Sequence, residues 1–511
     1  MSIADATVHG VEQTLHLMGV LVDAASDQGS VTGLRHAIGV LDGMAHDPLP
    51  DEQRAHLHYC RGNAFSAIRN LERSGKPAAW DWHQDEFEQE ILSLRIASQA
   101  AARADLPPEV RCPMMTNLGN AMSYVGRFVE AIDWWNRALT LDSRFGMAIG
   151  NKGYGLFHYG QQLYDDGHRA LFYKKARDLL AAGIAQGCDP AARAAFERLV
   201  ADIDRVLPPE FVEHPFEDEE FSLGKTKAEK QYRAWCLENR LFLNPLNDLG
   251  PFSVAAQDVF TVPSIVTPID EGPRFHGFFN QMKQEYVSAR LLFYEGAAAT
   301  RAHFSDRDVL LFDTLDYPCY ALAVEKQKLA FRSAYSILDK VAFFANAYLG
   351  LGIADRQVSF RSLWYEKQDP KRGLLPEFIS LDNWPLRGLF WLSKDLYDSS
   401  PSFRNALEPA ARRLAEIRNH IEHKYLKVHD EMWAGPGDGT APPGLKDTLA
   451  HSVYREEMAN SALLMLKLAR AALIYLSLGI HVEERRRARN RPADQRIGTM
   501  PIMTWPDKWK Q

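Results

Sequence analysis

The stretch EIRNHIEHKYLKVHD, residues 416–430, concentrates side chains that can move protons and hold an anion. Asn419 and His423 have the i,i+4 spacing that puts two residues on one face of a helix, one turn apart. Arg418 lies about 140° from His423 around the same axis, so only its long side chain could curl towards a shared ligand. Histidine exchanges a proton near neutral pH, and a guanidinium can hold two oxygens of one anion. We therefore expect Arg418, Asn419 and His423 to form a small anion site with acid–base capacity.

Two other interpretations of this stretch stay open. Arg418 and Glu422 have the spacing of an ordinary surface ion pair, which stabilises a helix by about 0.3–0.5 kcal/mol and does no chemistry. His420, Glu422, His423 and His429 suggest metal ligands, but HIEH is neither H-E-x-x-H nor H-x-x-E-H, and no clear third ligand follows at a supporting spacing. We predict no metal. No Walker loop or glycine-rich dinucleotide fingerprint occurs either, so no cofactor is predicted.

The composition is that of a folded protein with room for two or three domains. The chain has 511 residues, of which 46% are hydrophobic and 24% charged. Its net charge of -7 argues against a protein that coats nucleic acid by bulk electrostatics. Any contact with nucleic acid is therefore expected to be local.

The sequence predicts a cytoplasmic protein. Its start, MSIADATVHGVEQTL, lacks the basic residues and apolar run of a secretion signal, and its five cysteines form no C-x-x-C pair. The most apolar segment, residues 461–480, is interrupted by Lys467 and Arg470, which favours a buried helix over a membrane span. We predict no membrane contact.

The first 205 residues read as helix after helix, and they contain an internal repeat. Asn117 and Gly119 recur as Asn151 and Gly153 after 34 residues, which is the tetratricopeptide period. The segment resembles a tetratricopeptide repeat because Leu118 and Gly119 occupy close-packed positions of its first helix. The corresponding positions of its second helix hold the residues Ala131, Trp135 and Ala138.

Further repeats are less regular. The next one needs about four extra residues in its turn, and residues 57–69 resemble an earlier one with an insertion before its second helix. Stacked repeats bury faces that no single repeat could bury alone. The resemblance implies a helical solenoid over residues 1–205 that binds a peptide or protein partner; a scaffold that only holds the rest is the alternative.

Residues 206–273 are predicted to be a connecting helix and a linker rich in proline and glycine. Four principal helices follow, at about 275–296, 319–349, 403–428 and 446–481, with an irregular insertion before the third. We predict a helical bundle over residues 274–482 and a basic tail over residues 483–511. Arg418, Asn419 and His423 lie near the end of the third principal helix.

A bundle with R-x-x-x-x-H at the end of its third helix resembles the HEPN superfamily (higher eukaryotes and prokaryotes nucleotide-binding), in its R-x(4–6)-H branch of metal-independent ribonucleases. The best-matching residues are Arg418, the polar Asn419 directly after it, and His423. Glu422, Lys424, His420 and, from the preceding long helix, Asp339 are weaker candidates. HEPN domains typically dimerise with two such motifs facing each other, which implies a composite site and a homodimer here.

The resemblance implies an all-α endoribonuclease that cleaves RNA, such as tRNA or mRNA, by attack of a ribose 2′-hydroxyl. It also implies a role as a toxin or an antiviral defence effector, with the repeats as a sensor or docking module. A histidine can take or return the protons, and the arginine can hold the phosphate. The alternative is a catalytically silent scaffold that dimerises and binds RNA or a protein partner.

Overall fold

The computed structural model of the chain describes residues 10–45, 48–214, 221–398, 409–430, 447–492, 495 and 497–510. Helices dominate this part of the chain, and the two strands within it have four residues each. The predicted all-α fold class is confirmed.

The described residues of the N-terminal region, which we predicted to be a solenoid, form nine helices. They are α1 (Gly10–Asp27), α2 (Val31–Met44), α3 (Asp51–Arg73), α4 (Asp85–Arg103), α5 (Pro108–Tyr124), α6 (Phe128–Leu141), α7 (Gly146–Gln162), α8 (Asp166–Gln186) and α9 (Pro190–Val206). Successive helices pack in pairs, most closely α3 with α4, α5 with α6, and α7 with α8. The assignment of these pairs to tetratricopeptide repeats stays a prediction.

Small residues allow the paired helices to approach closely. A Cβ atom on Gly119 would lie 2.6 Å from the Trp135 ring, and one on Gly155 would lie 2.3 Å from the same ring. Trp135 itself is 2% exposed, and Ala131 beside it is completely buried. One tryptophan therefore fills the space between three successive helices, α5, α6 and α7.

The segment that we predicted to be a linker contains α10 (Pro209–Glu213) and α11 (Lys227–Glu238) and then joins the core. Every residue from 241 to 249 is buried. The buried Asp248 accepts hydrogen bonds from Arg470 at 2.8 Å and from Tyr159 at 3.1 Å. This segment, rich in proline, glycine and asparagine, thus places a carboxylate in the core. We had predicted a linker here, and the segment instead packs as part of the core.

The C-terminal region has the four principal helices that we predicted, with shifted ends. They are α12 (Arg274–Ala298), α13 (Leu322–Leu349), α16 (Pro409–His423) and α17 (Arg455–Arg489), and the insertion before α16 contains α14 (Pro376–Ile379) and α15 (Trp384–Tyr397). The longest helix, α17, could cross a membrane by length and composition, yet 83% of its most apolar window is buried inside the structure. It also extends into the predicted basic tail, where Arg486 and Arg487 bond to Glu483.

The third principal helix ends five residues earlier than we predicted, at His423. Residues 426–428 belong instead to strand β1 (Leu426–His429), which pairs in parallel with β2 (His451–Tyr454). Buried Lys427 causes the change, because it bonds to Asp316 at 2.5 Å and to Asp447 at 2.8 Å from the strand. Helical periodicity is a local pattern, so it does not reveal partners that are this distant in sequence. Residues 403–408, which we also predicted to be helical, lie outside the described residues.

Helix α15 joins the N-terminal helical region to the bundle. Its residues 385–396 are all buried, and the glycine at 388 meets Gly126 in the turn between α5 and α6. A Cβ atom on Gly126 would lie 2.7 Å from the backbone nitrogen of Gly388, and Gly126 has a φ of +91°. Both the conformation and the close approach require glycine there. The backbones of the two regions are thus in direct contact.

A buried carboxylate fixes this contact. Arg95 of α4 donates two hydrogen bonds to Asp395 of α15, at 2.8 and 2.6 Å, and Arg127 pairs with the same carboxylate. The Asp395 side chain is 9% exposed. Because both guanidinium groups are also buried, neither can exchange this partner for water.

We predict that Asp395→Ala destabilises the protein by about 3–5 kcal/mol, because it leaves Arg95 and Arg127 buried without their shared carboxylate. Urea unfolding followed by circular dichroism measures the change. Glu72→Ala, which removes a solvent-exposed partner of Arg35, is the control and should shift the unfolding midpoint little. Equal midpoints for Asp395→Ala and wild type would show that the carboxylate does not hold the two regions together.

Two histidines of the small sheet give stability a pH dependence. Burial and the neighbouring His420 and Arg413 lower the pKa of His451 below its usual 6.5, although Glu416 and Glu457 oppose this. Burial likewise lowers the pKa of His429. A histidine with a lowered pKa binds protons less readily in the folded state than in the unfolded state. The contribution of such a histidine to the free energy of unfolding is therefore present above pH 6.5 and is lost as the pH falls towards the lowered pKa.

We predict that wild type loses stability between pH 7.5 and pH 5, and that His451→Gln loses less, because it removes one of the groups that must charge. Urea midpoints of both proteins at the two pH values measure this. The account of His451 would be wrong if the two proteins lost the same amount.

Candidate active site

Helix α16 carries the predicted site residues, and two apolar side chains set its orientation. Leu414 and Ile417 are completely buried and face the bundle. Arg418 follows directly and is half-buried, whereas Asn419 and His423 are exposed. The helix therefore presents Asn419 and His423 to solvent on consecutive turns, as their spacing predicted.

Arg418 points towards α13. Its guanidinium carbon lies 5.4 Å from the centre of the Tyr335 ring. Tyr335 shares a hydrogen bond with Tyr397 at the end of α15, and burial raises the pKa of both hydroxyls. The charge of Arg418 opposes that rise. Two neutral tyrosines thus surround a permanent cation.

No carboxylate among the described residues forms an ion pair with Arg418. The surface pair that its spacing suggested is absent, because Glu422 bonds instead to Arg332 of α13 at 2.8 Å. Since the Arg332 side chain is 57% exposed, that pair contributes at most about 1 kcal/mol. Within the described part of the chain, the charge of Arg418 is available to an anion.

Arg418 and His423 occupy different faces of α16. Arg418 lies over Tyr335, and His423 is exposed about 140° away around α16. Asn419 shares the exposed face with His423, and Lys424, directly after the helix, is exposed as well. A ligand that touches both Arg418 and His423 must therefore reach around the edge of α16, or take one of them from another chain.

The weaker candidates have structural partners. The His420 ring stacks on His451 at 4.7 Å between ring centres, and its Nδ1 lies 2.8 Å from the Glu416 carbonyl oxygen, which accepts a hydrogen bond from it. Asp339 accepts a hydrogen bond from the Phe360 backbone nitrogen at 3.0 Å. Its charge also raises the pKa of both tyrosines near Arg418, so it borders the site without bonding to Arg418.

Metal ligation finds no support in the positions of the four candidate ligands. His420 faces His451, Glu422 pairs with Arg332, His423 is exposed, and His429 lies 3.2 Å from the Ser452 hydroxyl. In the described ranges, no three His, Cys, Asp or Glu side chains come together in a way that could hold a metal ion.

Two residues near Arg418 were missed from the sequence, namely Tyr335 and Tyr397, whereas Arg332 was expected either near the site or in a structural ion pair, and it forms an ion pair with Glu422. Tyr335 lies one turn before Asp339 on α13, so the helical period could have placed it beside the site. Tyr397 ends a helix inside the insertion, and no local pattern links it to α16. The tyrosines fix where the guanidinium lies, and Arg332 fixes the last turn of α16 through Glu422.

The arrangement can hold an oxyanion and exchange a proton beside it. Arg418 offers a delocalised charge at a half-buried position, where electrostatic interactions are stronger than in bulk water. Asn419 can accept and donate hydrogen bonds, and the imidazole of exposed His423 can take or give a proton. These capacities suit transfer chemistry at a phosphate.

Comparison with known proteins bears on the C-terminal region. Residues 266–483 match the family described as LA2681-like HEPN, a range that includes α12, α13, α15, α16 and most of α17. Among curated proteins, none matches the chain. The family match supports the HEPN superfamily for the C-terminal helical bundle, and the bundle carries Arg418, Asn419 and His423.

Proposed function

We propose that the chain is a metal-independent endoribonuclease whose site contains Arg418, Asn419 and His423. One observation carries the proposal: within the region that matches a HEPN family, α16 presents an exposed histidine and an arginine that has no carboxylate partner among the described residues. A structural arginine at a half-buried position is usually paired. An arginine without a carboxylate partner can bind an anion, which suits a phosphate-binding role.

The reaction uses the ribose 2′-hydroxyl as the nucleophile. A histidine takes the hydroxyl proton, the 2′-oxygen attacks the adjacent phosphorus, and the bond to the 5′-oxygen breaks after a proton reaches that oxygen. Arg418 holds two phosphoryl oxygens while negative charge develops on them. Asn419 orients the imidazole of His423 or donates to the phosphate. The products are a 2′,3′-cyclic phosphate and a free 5′-hydroxyl.

Two chains complete the site in this proposal. One chain supplies one well-placed histidine, although the reaction needs both a base and an acid. The divergence of Arg418 and His423 around α16 supports the same conclusion, because one chain does not aim both at one phosphate. A twofold axis that brings two copies of α16 together supplies two histidines and two arginines, with the same surface used on both sides.

The wider role follows from the HEPN resemblance. We propose that the enzyme cuts cellular RNA, tRNA or mRNA, in the cytoplasm as a toxin or a phage-defence effector. The paired helices of the N-terminal region would receive a protein or peptide signal. Their direct contact with α15, whose last residue Tyr397 bonds to Tyr335 beside Arg418, supports a connection between the two regions.

The second candidate function is a catalytically silent scaffold that dimerises and binds RNA or a protein partner. The position of Arg418 over Tyr335 favours it, because a guanidinium that stacks on a tyrosine ring can serve structure alone. The two candidates differ in whether RNA is cut, so one assay separates them.

We predict that purified protein cuts total RNA in the presence of EDTA and leaves 2′,3′-cyclic phosphate ends. His423→Ala should lower the rate by about 10²–10⁴ because it removes the proton-transfer group. Arg418→Ala should lower it by about 10²–10³ because it removes charge stabilisation of the phosphate. End-group analysis and gel-resolved cleavage rates measure these effects.

His16→Ala is the matched control, because His16 is an exposed histidine on α1, in the repeat region. It should cleave at the wild-type rate. Cleavage abolished by EDTA and restored by zinc or manganese would contradict the mechanism. Wild-type rates in both site variants would assign α16 a purely structural role.

A further inference from the structure

The loop between α12 and α13 is fixed at both ends. At its start, Asp306 accepts a hydrogen bond from the Leu322 backbone nitrogen at 3.0 Å. At its end, buried Asp316 bonds to Lys427 of β1 at 2.5 Å, and the Cys319 nitrogen donates to the Val428 carbonyl oxygen at 2.7 Å. Residues 307–315, which we call the apolar loop, therefore project from two anchored points, one at the start of α13 and one on β1.

The middle of the apolar loop is exposed and hydrophobic. Residues 309–312 read VLLF, and Leu310 and Phe312 are 85% and 83% exposed. Val309, Leu311 and Leu315 are each more than half exposed. Scattered surface hydrophobics need no explanation, whereas a contiguous apolar patch marks an interaction site. The patch is exposed among the described residues, so a partner can pack on it.

The charges that flank the loop restrict that partner. Three carboxylates, Asp306, Asp308 and Asp313, surround the VLLF segment against one guanidinium, that of Arg307. Negative charge repels RNA phosphates, so nucleic acid does not suit this loop. Anionic membrane surfaces attract basic flanks rather than acidic ones, so lipid is not favoured either. A protein surface with apolar and basic side chains fits best.

The chain has such a surface next to the loop's own base. Tyr320, Leu329 and Tyr425 are 45%, 48% and 37% exposed, and the two tyrosine hydroxyls lie 3.1 Å apart. Exposed Lys424 supplies positive charge beside them, and exposed Arg332, which pairs with Glu422, lies on the neighbouring helix α13. This surface, which we call the aromatic–basic surface, adjoins His423 and complements the apolar loop in both hydrophobicity and charge.

We infer that the apolar loop is a dimerisation arm that packs on the aromatic–basic surface of a second copy of this chain. In an isologous dimer each copy gives one loop and receives one, so the contact forms twice around the twofold axis. The inference rests on the proposed function in placing that axis at α16. Asp316, the residue directly after the apolar loop, bonds to Lys427 of β1, and β1 begins three residues after His423. If two chains exchange their loops, the contact therefore also positions the two copies of His423 relative to each other.

The test uses the full chain and light scattering at micromolar concentration. We expect a dimer for wild type and a monomer for Leu310→Asp/Phe312→Asp, because the change removes the apolar side chains that pack on the exposed tyrosines and Leu329 and puts two carboxylates against them. The control is Ile502→Asp/Met503→Asp, which changes two residues that are 50% and 87% exposed outside the loop. It should remain a dimer. Circular dichroism should show all three proteins folded, since each changed side chain is at least half exposed.

A photo-crosslinking amino acid at Phe312 identifies the surface that the loop reaches. In a mixture of isotope-labelled and unlabelled protein, we expect crosslinks between chains to peptides that contain Tyr320, Leu329 or Tyr425. A monomeric wild type, a dimeric loop variant, or crosslinks only to the N-terminal helices would overturn the inference. Neither readout depends on RNA, so a dimer formed through the loop but unable to cut RNA would remove only the proposed function.

Discussion

The buried carboxylate of Asp395 is the interaction on which the arrangement of the chain depends. It accepts two hydrogen bonds from Arg95 of α4 and pairs with Arg127, which directly precedes α6, so two parts of the N-terminal region are tied to α15. A charge taken out of water is tolerated only where its partners are fixed. The close approach of Gly126 and Gly388 leaves no room for a different register between these elements. Buried side chains of α4 to α9 and of the bundle consequently belong to one continuous hydrophobic core, whereas α1, α2 and α3 share a separate core.

The position of α15 affects the surroundings of Arg418 in the candidate site. Two residues after Asp395 the helix ends at Tyr397, which bonds to Tyr335, and the Tyr335 ring lies under Arg418. A shift of α15 would therefore move the surroundings of the guanidinium, whereas exposed His423 follows the last turn of α16, which Arg332 of α13 holds through Glu422. Different parts of the fold thus support the two candidate groups, and in the proposed function a signal at the N-terminal helices would reach Arg418 through α15.

Much of the fold was predictable because helical periodicity is local. The paired helices, the principal helices of the bundle and the solvent-facing turn with Asn419 and His423 all follow from spacing along the chain. The strand at 426–429, the buried segment at 241–249 and the role of α15 were not predictable in this way. Each depends on a partner far away in sequence: Asp316 for Lys427, Arg470 for Asp248, and Arg95 for Asp395. The direction of Arg418 likewise depends on Tyr335, on another helix.

The central claim is that Arg418 and His423 from two chains act on one phosphate. The most direct measurement is RNA cleavage by a heterodimer of Arg418→Ala and His423→Ala chains, purified through two different tags. We expect activity above that of either variant alone and below that of wild type, because the mixed dimer keeps one arginine and one histidine at the shared site, where wild type has two of each. Activity no higher than that of the separate variants would contradict this claim, because a site within one chain would lack a group in both subunits.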